Sequence, residues 1–172
     1  MKKTAIFSFM LAIVLVFSTG CGVFDFLKSD KTFSKSGMSI TLTESFYEKE
    51  NVAYTAYYES PLILVFAIKE DLSYFEGMNL TLSDYAQLVI YNNSLSCDVI
   101  EDNDLTYFIF EKEVNGKNYL YFAPVYKSSD AYWLIQFACE SANYEELKDT
   151  IIKYAQSVTF DSDADAVSNI TV

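Results

Sequence analysis

The stretch "LTYFIFEKEVNGKNYLYFAPVY", residues 105–126, consists of two aromatic and apolar runs joined by a turn dipeptide. Tyrosine, phenylalanine and isoleucine favour strands, and Asn115-Gly116 suits the two-residue turns that join antiparallel strands. After the polar segment "KSSD", the run "AYWLIQFACE" at residues 131–140 has the same character. This part of the chain therefore predicts a meander of antiparallel strands.

The residues before this meander predict further strands. The segment "TFSKSGMSITL", residues 32–42, is typical of a small hairpin that turns at Ser36-Gly37. The runs "VAYTAYYE", residues 52–59, and "LILVFAIKE", residues 62–70, follow it. Because residues 62–68 are apolar on both faces, we expect them to form a central strand that is covered on both sides.

Two segments change to the helical period. In "NLTLSDYAQLVIYNN", residues 79–93, Thr81 and Asp84 have the spacing of a capping box. In "NYEELKDTIIKYAQSV", residues 143–158, we expect Asn143 to cap a second helix. Both helices are amphipathic and should lay one side on the sheet. The predicted fold class is α+β, an α/β/α sandwich with a central antiparallel sheet and a helix on each face.

The amino terminus has the pattern of an export signal. Two lysines, Lys2 and Lys3, precede an apolar run at residues 5–17 that is shorter than the ~20 residues of a membrane-spanning helix. We interpret residues 1–20 as a signal peptide. Ser18 and Gly20 followed by Cys21 resemble the bacterial lipobox, although most lipoboxes carry leucine where this chain has Ser18. An ordinary secretory peptide with a chance cysteine is the alternative.

Lipidation of Cys21 would determine where the protein resides. In that class of signals the thiol receives a diacylglyceryl group, and two acyl chains give lasting attachment to a membrane. The predicted localisation is the outer face of the cell membrane, lipid-anchored and facing outside the cytoplasm. Residues 21–31 would form the lipidated tether, residues 32–160 one domain, and residues 161–172 an acidic flexible tail.

The composition argues against several functional classes. The chain has no histidine and no arginine, and all 12 basic residues are lysine. It therefore lacks the usual general base, a common metal ligand and the bidentate fork that binds phosphate. After cleavage ten lysines would face 24 acidic residues, so the formal charge of -12 would become about -14. Because such a surface repels nucleic acid and anionic lipid, we expect no nucleic-acid partner.

Two cysteines remain in the predicted domain. Cys97 and Cys139 form either one disulfide or two buried free thiols, and the sequence leaves both open.

Two acidic segments are candidates for cation sites. Asp161, Asp163 and Asp165 have the spacing of a calcium loop. In that loop, however, Ala166 would replace the required glycine and Val172 the bidentate glutamate. The "EDND" segment, residues 101–104, favours a polar turn over a cation site. We therefore predict no metal site and no cofactor.

The chain is rich in aromatic residues, with 14 tyrosines and 14 phenylalanines. Most of them should be core, and an aromatic pocket for sugars or aromatic ligands is the open alternative. The residues considered for such a pocket are Tyr54, Tyr57, Tyr58, Tyr119, Tyr121 and Phe122, while Trp133 is expected in the core.

Motifs of catalysis are missing from the sequence. It has no G-x-S-x-G, no S-x-x-K and no phosphate-binding glycine loop, so we predict no catalytic residue and no enzyme activity. A hydrolase based on paired carboxylates stays an alternative, because 24 acidic side chains always allow some pair to meet.

Several of these features together resemble the PsbP family. They are the opening "F-x-x-x-G-M-S-I-T-L", the helix start "T-L-S-D-Y-A", the aromatic meander with its "N-G" turn, and the closing helix that ends in "S-V-T-F". The resemblance covers roughly residues 32–160. That family includes the extrinsic protein of the photosynthetic oxygen-evolving complex and related bacterial lipoproteins, and its fold is an α/β/α sandwich. The resemblance assigns a role to no individual residue.

The resemblance implies a non-enzymatic accessory or binding role, with metal ions and protein assemblies as kinds of partner. We accordingly expect a non-catalytic cell-surface lipoprotein that binds or scaffolds an envelope protein or a small ligand. A calcium-dependent module that uses acidic loops and an extracellular hydrolase are the alternatives. The missing histidines argue against a transition-metal site of the kind found in plant members.

Overall fold

The computed structural model describes residues 29–161, and all structural statements below concern this part of the chain. None of its helices is long and apolar enough to span a membrane. Short 3₁₀ turns occur at Leu72–Phe75 and at Ser141–Asn143. The strands and helices are, in order, β1 (Asp30–Lys35), β2 (Met38–Thr43), β3 (Tyr47–Glu48), β4 (Ala56–Glu59), β5 (Leu64–Asp71), α1 (Leu82–Asn92), β6 (Ile100–Asp102), β7 (Leu105–Val114), β8 (Lys117–Lys127), β9 (Ala131–Glu140), α2 (Tyr144–Gln156) and β10 (Thr159–Phe160).

Seven strands form the main sheet, in the spatial order β3-β4-β5-β9-β8-β7-β6. All neighbouring pairs are antiparallel, and β7, β8 and β9 form the predicted meander. Asn115 and Gly116 join β7 to β8 with φ angles of 53° and 78°. Positive φ at both central residues gives a turn whose twist matches the strands, which is why this dipeptide determines the pairing.

The "EDND" segment is a second hairpin turn of the same kind. Asn103 and Asp104 join β6 to β7 with φ angles of 54° and 59°. Asp102 pairs with Leu105 across this turn, and the Asp102 carboxylate accepts hydrogen bonds from both nitrogens of Asn103. The acidic side chains of this segment therefore take part in a turn between strands.

A second, three-stranded sheet was not predicted. It has the order β1-β2-β10, and Thr159 and Phe160 of β10 pair with Ser39 and Met38 of β2. The sequence did not indicate β10, because a strand of two residues is too short to show a period. The first strand also begins at Asp30, within the segment predicted as tether.

Side chains of β9 alternate between two hydrophobic clusters. Trp133, Ile135 and Phe137 lie in one cluster, together with residues of α2 and of the three-stranded sheet. Tyr132 and Leu134 lie in the other cluster, together with residues of α1. The prediction of a mixed fold with two helices and mainly antiparallel strands is confirmed.

The predicted central strand is interior and covered on both faces. Four consecutive residues of β5, Leu64–Ala67, are buried, and β5 lies between β4 and β9. The centre of the seven-stranded sheet is β9, of which nine of ten residues are buried. Both strands are apolar on both faces because each face carries a cluster.

The capping prediction is confirmed for α1 and wrong for α2. The Thr81 backbone nitrogen donates to Asp84 Oδ2 at 2.9 Å, and the Asp84 nitrogen donates to Thr81 Oγ1 at 3.1 Å. Asn143 makes no side-chain capping bond. Its backbone is already helical, with φ -98° and ψ -6°, because the 3₁₀ turn Ser141–Asn143 runs directly into α2. A capping side chain needs a non-helical backbone at its own position.

We predict that Thr81→Ala lowers the free energy of unfolding by about 1 kcal/mol, because it removes the acceptor for a backbone N–H of the first turn. Thr81→Ser keeps the hydroxyl and serves as the matched control. Hydrogen bonds from Thr81 lower the pKa of Asp84. The difference between wild type and T81A should therefore be present at neutral pH and shrink as the pH falls through the folded-state pKa of Asp84. Urea unfolding at several pH values measures the free energy of unfolding of the wild type and of both variants. If Thr81→Ser lost as much stability as Thr81→Ala, the prediction would be contradicted.

Candidate functional site

A groove of about 490 Å³ lies beside β3 and the loop that leads into β4. We call it the hairpin groove. Its shape is set by backbone hydrogen bonds from Lys49 N to Tyr57 O and from Thr55 N to Ala67 O, at 2.9 and 2.8 Å. The residues that line it are Lys35, Glu48, Lys49, Glu50, Asn51, Val52, Tyr54, Thr55, Ala56 and Tyr57.

One wall of the hairpin groove is aromatic. Tyr57 of β4 lies directly opposite Phe66 of β5, and their rings stack with centroids 5.1 Å apart and planes 17° apart. The ring of Tyr54 lies 4.8 Å from that of Phe66. Both tyrosines are half-buried, and burial is the main cause that raises the pKa of each. Their hydroxyls therefore stay protonated at physiological pH and can donate hydrogen bonds.

Ion pairs surround this wall. Lys35 pairs with Glu48 and Lys49 with Glu59, each at 2.6 Å. The Tyr57 hydroxyl donates to Glu59 Oε2 at 3.0 Å, which fixes the ring relative to the second pair. Both lysines of the groove are thus paired with glutamates, and Glu50 adds a third carboxylate. Exposed pairs of this kind contribute little to stability.

Two apolar side chains near the groove point away from the core. Val52, which lines the groove, is fully exposed, and Tyr47 of β3 is 67% exposed. Apolar side chains gathered beside a concave surface are a mark of binding sites.

Two of the three carboxylates in and beside the groove are in ion pairs. Glu48 and Glu59 each pair with a lysine, whereas Glu50 has no ion pair among the described residues. Within residues 29–161 no group of three or more acidic or cysteine side chains is arranged to hold a metal ion. The groove offers aromatic faces, hydrogen-bonding groups and paired charges.

Two buried polar atoms on the same face of the sheet have no hydrogen-bond partner among the described residues. They are the Tyr121 hydroxyl and Gln136 Oε1. Tyr121 of β8 lies opposite Ala138 of β9, two residues from Gln136, and Gln136 lies opposite Phe66. The two are diagonal neighbours behind the aromatic wall. A lone glutamine within the apolar run "AYWLIQFACE" was the only sequence signal for this feature.

Helix α1 is attached to the sheet through tyrosine hydroxyls. Tyr85 of α1 donates to Glu70 Oε2 at 2.5 Å, and its ring stacks on Tyr132 at 4.6 Å. The Tyr132 hydroxyl donates to the backbone oxygen of Leu80 at 2.6 Å. Burial is the main cause that raises the pKa of Tyr85, so the hydroxyl remains a donor. The sequence did not predict this contact, because its members come from three separate elements.

The structure divides the aromatic candidates between core and groove. Tyr54 and Tyr57 line the hairpin groove. Trp133 is core, as predicted, and its Nε1 donates to Ser128 Oγ at 3.2 Å. The other candidates, Tyr58, Tyr119, Tyr121 and Phe122, are buried.

The two cysteines of the domain are free thiols. Cys139 is completely buried in the cluster that contains α2, whereas Cys97 packs against the cluster that contains α1. The two thiols therefore pack in different hydrophobic clusters. Burial raises the pKa of Cys139 to about 11 and also raises that of Cys97, which makes both thiols poor nucleophiles.

Other predicted site residues lie outside the described part of the chain. These are the lipidation site Cys21 and the two calcium-loop candidates Asp163 and Asp165, with Ala166 and Val172. Asp161 is described, and its backbone nitrogen donates to Gly37 O at 3.0 Å.

Comparison with known proteins identifies the fold. The solution structure of cyanobacterial PsbP (CyanoP) from Synechocystis sp. PCC 6803 superposes with a TM-score of 0.51 over 83% of this chain and 98% of that chain. The chain has a PsbP-like fold. Sequence identity to that structure is 10%. The PsbP-like fold predicted from the sequence is thus confirmed, whereas no family model and no curated protein matches the chain.

Two further solved structures resemble the PsbP-like domain. A crystal structure from Bacteroides thetaiotaomicron VPI-5482 has a TM-score of 0.52 and 14% identity over 76% of this chain. The match covers 48% of that protein, about half its length. LpqN of Mycobacterium tuberculosis, described as involved in cell envelope biogenesis, has a TM-score of 0.44 and 10% identity over 78% of this chain and 92% of its own.

The unpartnered hydroxyl behind the aromatic wall gives a prediction for the PsbP-like domain. Tyr121→Phe should be neutral or stabilising, because it removes a buried polar atom that has no partner among the described residues. Tyr132→Phe is the matched control in the same cluster and should cost about 1 kcal/mol, because Leu80 O loses its donor. Urea unfolding measures both changes. If Tyr121→Phe cost as much as Tyr132→Phe, the Tyr121 hydroxyl would have a partner in solution.

Proposed function

We propose that this protein is a non-catalytic accessory protein, held by lipid on Cys21 at the outer face of the cell membrane, whose PsbP-like domain binds through the hairpin groove. The binding partner is an envelope protein or a small ligand. The observation that carries this proposal is the aromatic wall of Tyr54 and Tyr57 beside exposed Val52. We also propose that the domain is an α/β/α sandwich with a helix on each face, which the division of β9 side chains between two clusters supports.

The composition of the groove favours a binding role. Ligand sites combine aromatic or apolar walls with a few polar groups that fix orientation, and volumes of roughly 300–1,000 Å³ are typical. The hairpin groove has such a wall, and its volume of about 490 Å³ lies in that range. Its tyrosines are held in place by contact with Phe66 rather than left free to rotate. A wall that is ordered before the ligand arrives loses little entropy on binding.

The chemistry of the described residues supports a role without catalysis. Glu48 and Glu59 are neutralised by lysines, and burial raises the pKa of the thiol groups. A thiol that acts as a nucleophile at neutral pH needs a lowered pKa or a base beside it. The PsbP family, which the sequence resembles, implies an accessory role as well.

The charge of the chain supports attachment through a lipid. Acidic residues outnumber lysines by two to one. A surface with this charge is repelled by anionic lipid head groups, so the protein itself supplies no electrostatic attraction to the membrane. Two acyl chains at Cys21 would supply the attachment independently of charge.

We predict that Cys21→Ser releases the protein from the membrane fraction, because serine has no thiol to accept the diacylglyceryl group. Cys97→Ser is the control and should leave the protein in the membrane fraction. Fractionation and mass spectrometry of the mature amino terminus measure the result. An unmodified residue 21 in the wild type, or equal membrane association of both variants, would refute the anchor.

The binding role of the groove is tested by photocrosslinking on intact cells. A photoreactive amino acid at Val52, which is exposed beside the aromatic wall, should capture an envelope component. The same group at Tyr74, which is 72% exposed in the 3₁₀ turn before α1, is the control and should not capture it. Equal capture at both positions, or capture at neither, would contradict a role for the groove.

A further inference from the structure

We propose that the hairpin groove binds an uncharged oligosaccharide, whose sugar rings stack on the faces of Tyr54 and Tyr57. This inference rests on the proposed function, since it names the class of ligand for the same groove. Three features of the groove carry it: the pre-ordered tyrosine rings, the hydrogen-bonding groups around them, and the pairing of its lysines with carboxylates.

The tyrosine rings form a rigid platform. Tyr57 stacks on Phe66 and its hydroxyl donates to Glu59, while the ring of Tyr54 leans on Phe66 at 38°. The face of an aromatic ring is its negative part, and it attracts the weakly positive C–H groups that line the faces of a sugar ring. Tyrosine offers this contact area with only two side-chain torsions to order.

Hydrogen-bonding groups surround this platform. Asn51 accepts a hydrogen bond from Ala53 N through its side-chain oxygen at 3.0 Å, which orients its amide at the mouth of the loop. The Glu50 carboxylate, the Lys49 ammonium and the tyrosine hydroxyls add acceptors and donors. Sugar hydroxyls both donate and accept, so a mixed set of this kind matches them.

The pairing of charges favours a neutral ligand. The lining contains two lysines, Lys35 and Lys49, and two glutamates, Glu48 and Glu50. Lys35 pairs with Glu48 and Lys49 with Glu59, so Glu50 is the one charged lining side chain without an ion pair among the described residues. An anionic ligand would have to compete with the paired carboxylates, and a cationic ligand would find only one exposed carboxylate, whose pairing in water contributes little. A ligand without charge therefore loses least on entry.

The groove does not suit an extended peptide that adds a strand to the sheet. Its edge strand β3 has only two residues, Tyr47 and Glu48, and Lys49 and Glu50 follow directly. Short edge strands with charged residues are the usual means by which proteins prevent strand addition. The aromatic surface of the groove therefore faces a small or chain-like ligand that needs no backbone pairing.

The test uses the full chain purified in detergent and three uncharged probes: maltotetraose, cellotetraose and the tetramer of N-acetylglucosamine. Isothermal titration calorimetry should detect at least one of them. Tyr54→Ala and Tyr57→Ala should each weaken that affinity about tenfold or more. Tyr74→Ala, which removes an exposed tyrosine outside the groove lining, is the matched control and should bind as the wild type does.

A second measurement does not depend on the variants. In saturation-transfer NMR of the wild-type chain, the aromatic protons of the protein are irradiated. Saturation should then transfer to the sugar-ring C–H protons of the bound probe. Tetragalacturonate, a charged probe of the same length, and indole, an aromatic one, are the comparisons and should bind more weakly than the best neutral sugar.

Failure of the sugar inference differs from failure of the proposed function. Binding of none of the three neutral probes, or binding that survives loss of both tyrosines, would overturn the sugar inference. Preference for indole or for tetragalacturonate would overturn it as well. The proposed function would fail through other results: no photocrosslinking of an envelope component at Val52, or an unmodified Cys21 in mass spectrometry of the mature amino terminus.

Discussion

The constraint on which the rest of this structure depends is the double-sided burial of β9. Nine of its ten residues are buried, and it pairs with β5 on one side and with β8 on the other. A strand that is apolar on both faces must be covered on both. The side chains of β9 lie in two hydrophobic clusters, one with residues of α1 and the other with residues of α2 and of the three-stranded sheet. The separation of the chain into two hydrophobic clusters follows from this one strand.

Tyrosine hydroxyls determine where the covering elements lie on the sheet. Tyr126 of β8 donates to Ala155 O of α2 at 2.8 Å, and Tyr85 of α1 donates to Glu70 of β5. Hydrophobic burial is not directional, whereas each of these hydrogen bonds has a defined geometry. The high tyrosine content therefore orients the helices as well as filling the space below them.

The location of the hairpin groove depends on how much of the sheet α1 covers. This helix packs chiefly on β7 and β8, on the far side of β9 from β4. The aromatic residues of β4 and of the loop before it are left to cover that end of the face themselves. Tyr54 and Tyr57 do so by packing on Phe66, which leaves their outer parts half-exposed. The aromatic wall therefore lies where the cover of α1 ends and the sheet continues.

The sequence by itself determined the meander, the first hairpin, both helices and the capping box, because each is encoded over a few neighbouring residues. Asn115-Gly116 and the pair Thr81 and Asp84 act within one turn, so their effect is readable without the rest of the chain. Only the tertiary structure decided the pairing of β10 with β2, the separation of Cys97 from Cys139, and the stacking of Tyr54 and Tyr57 on Phe66. These contacts join segments that are distant in the chain or depend on which face a side chain takes. Composition raised the idea of an aromatic pocket, but it was the register of β4 against β5 that placed Tyr57 opposite Phe66, and the loop before β4 that brought Tyr54 beside the same ring.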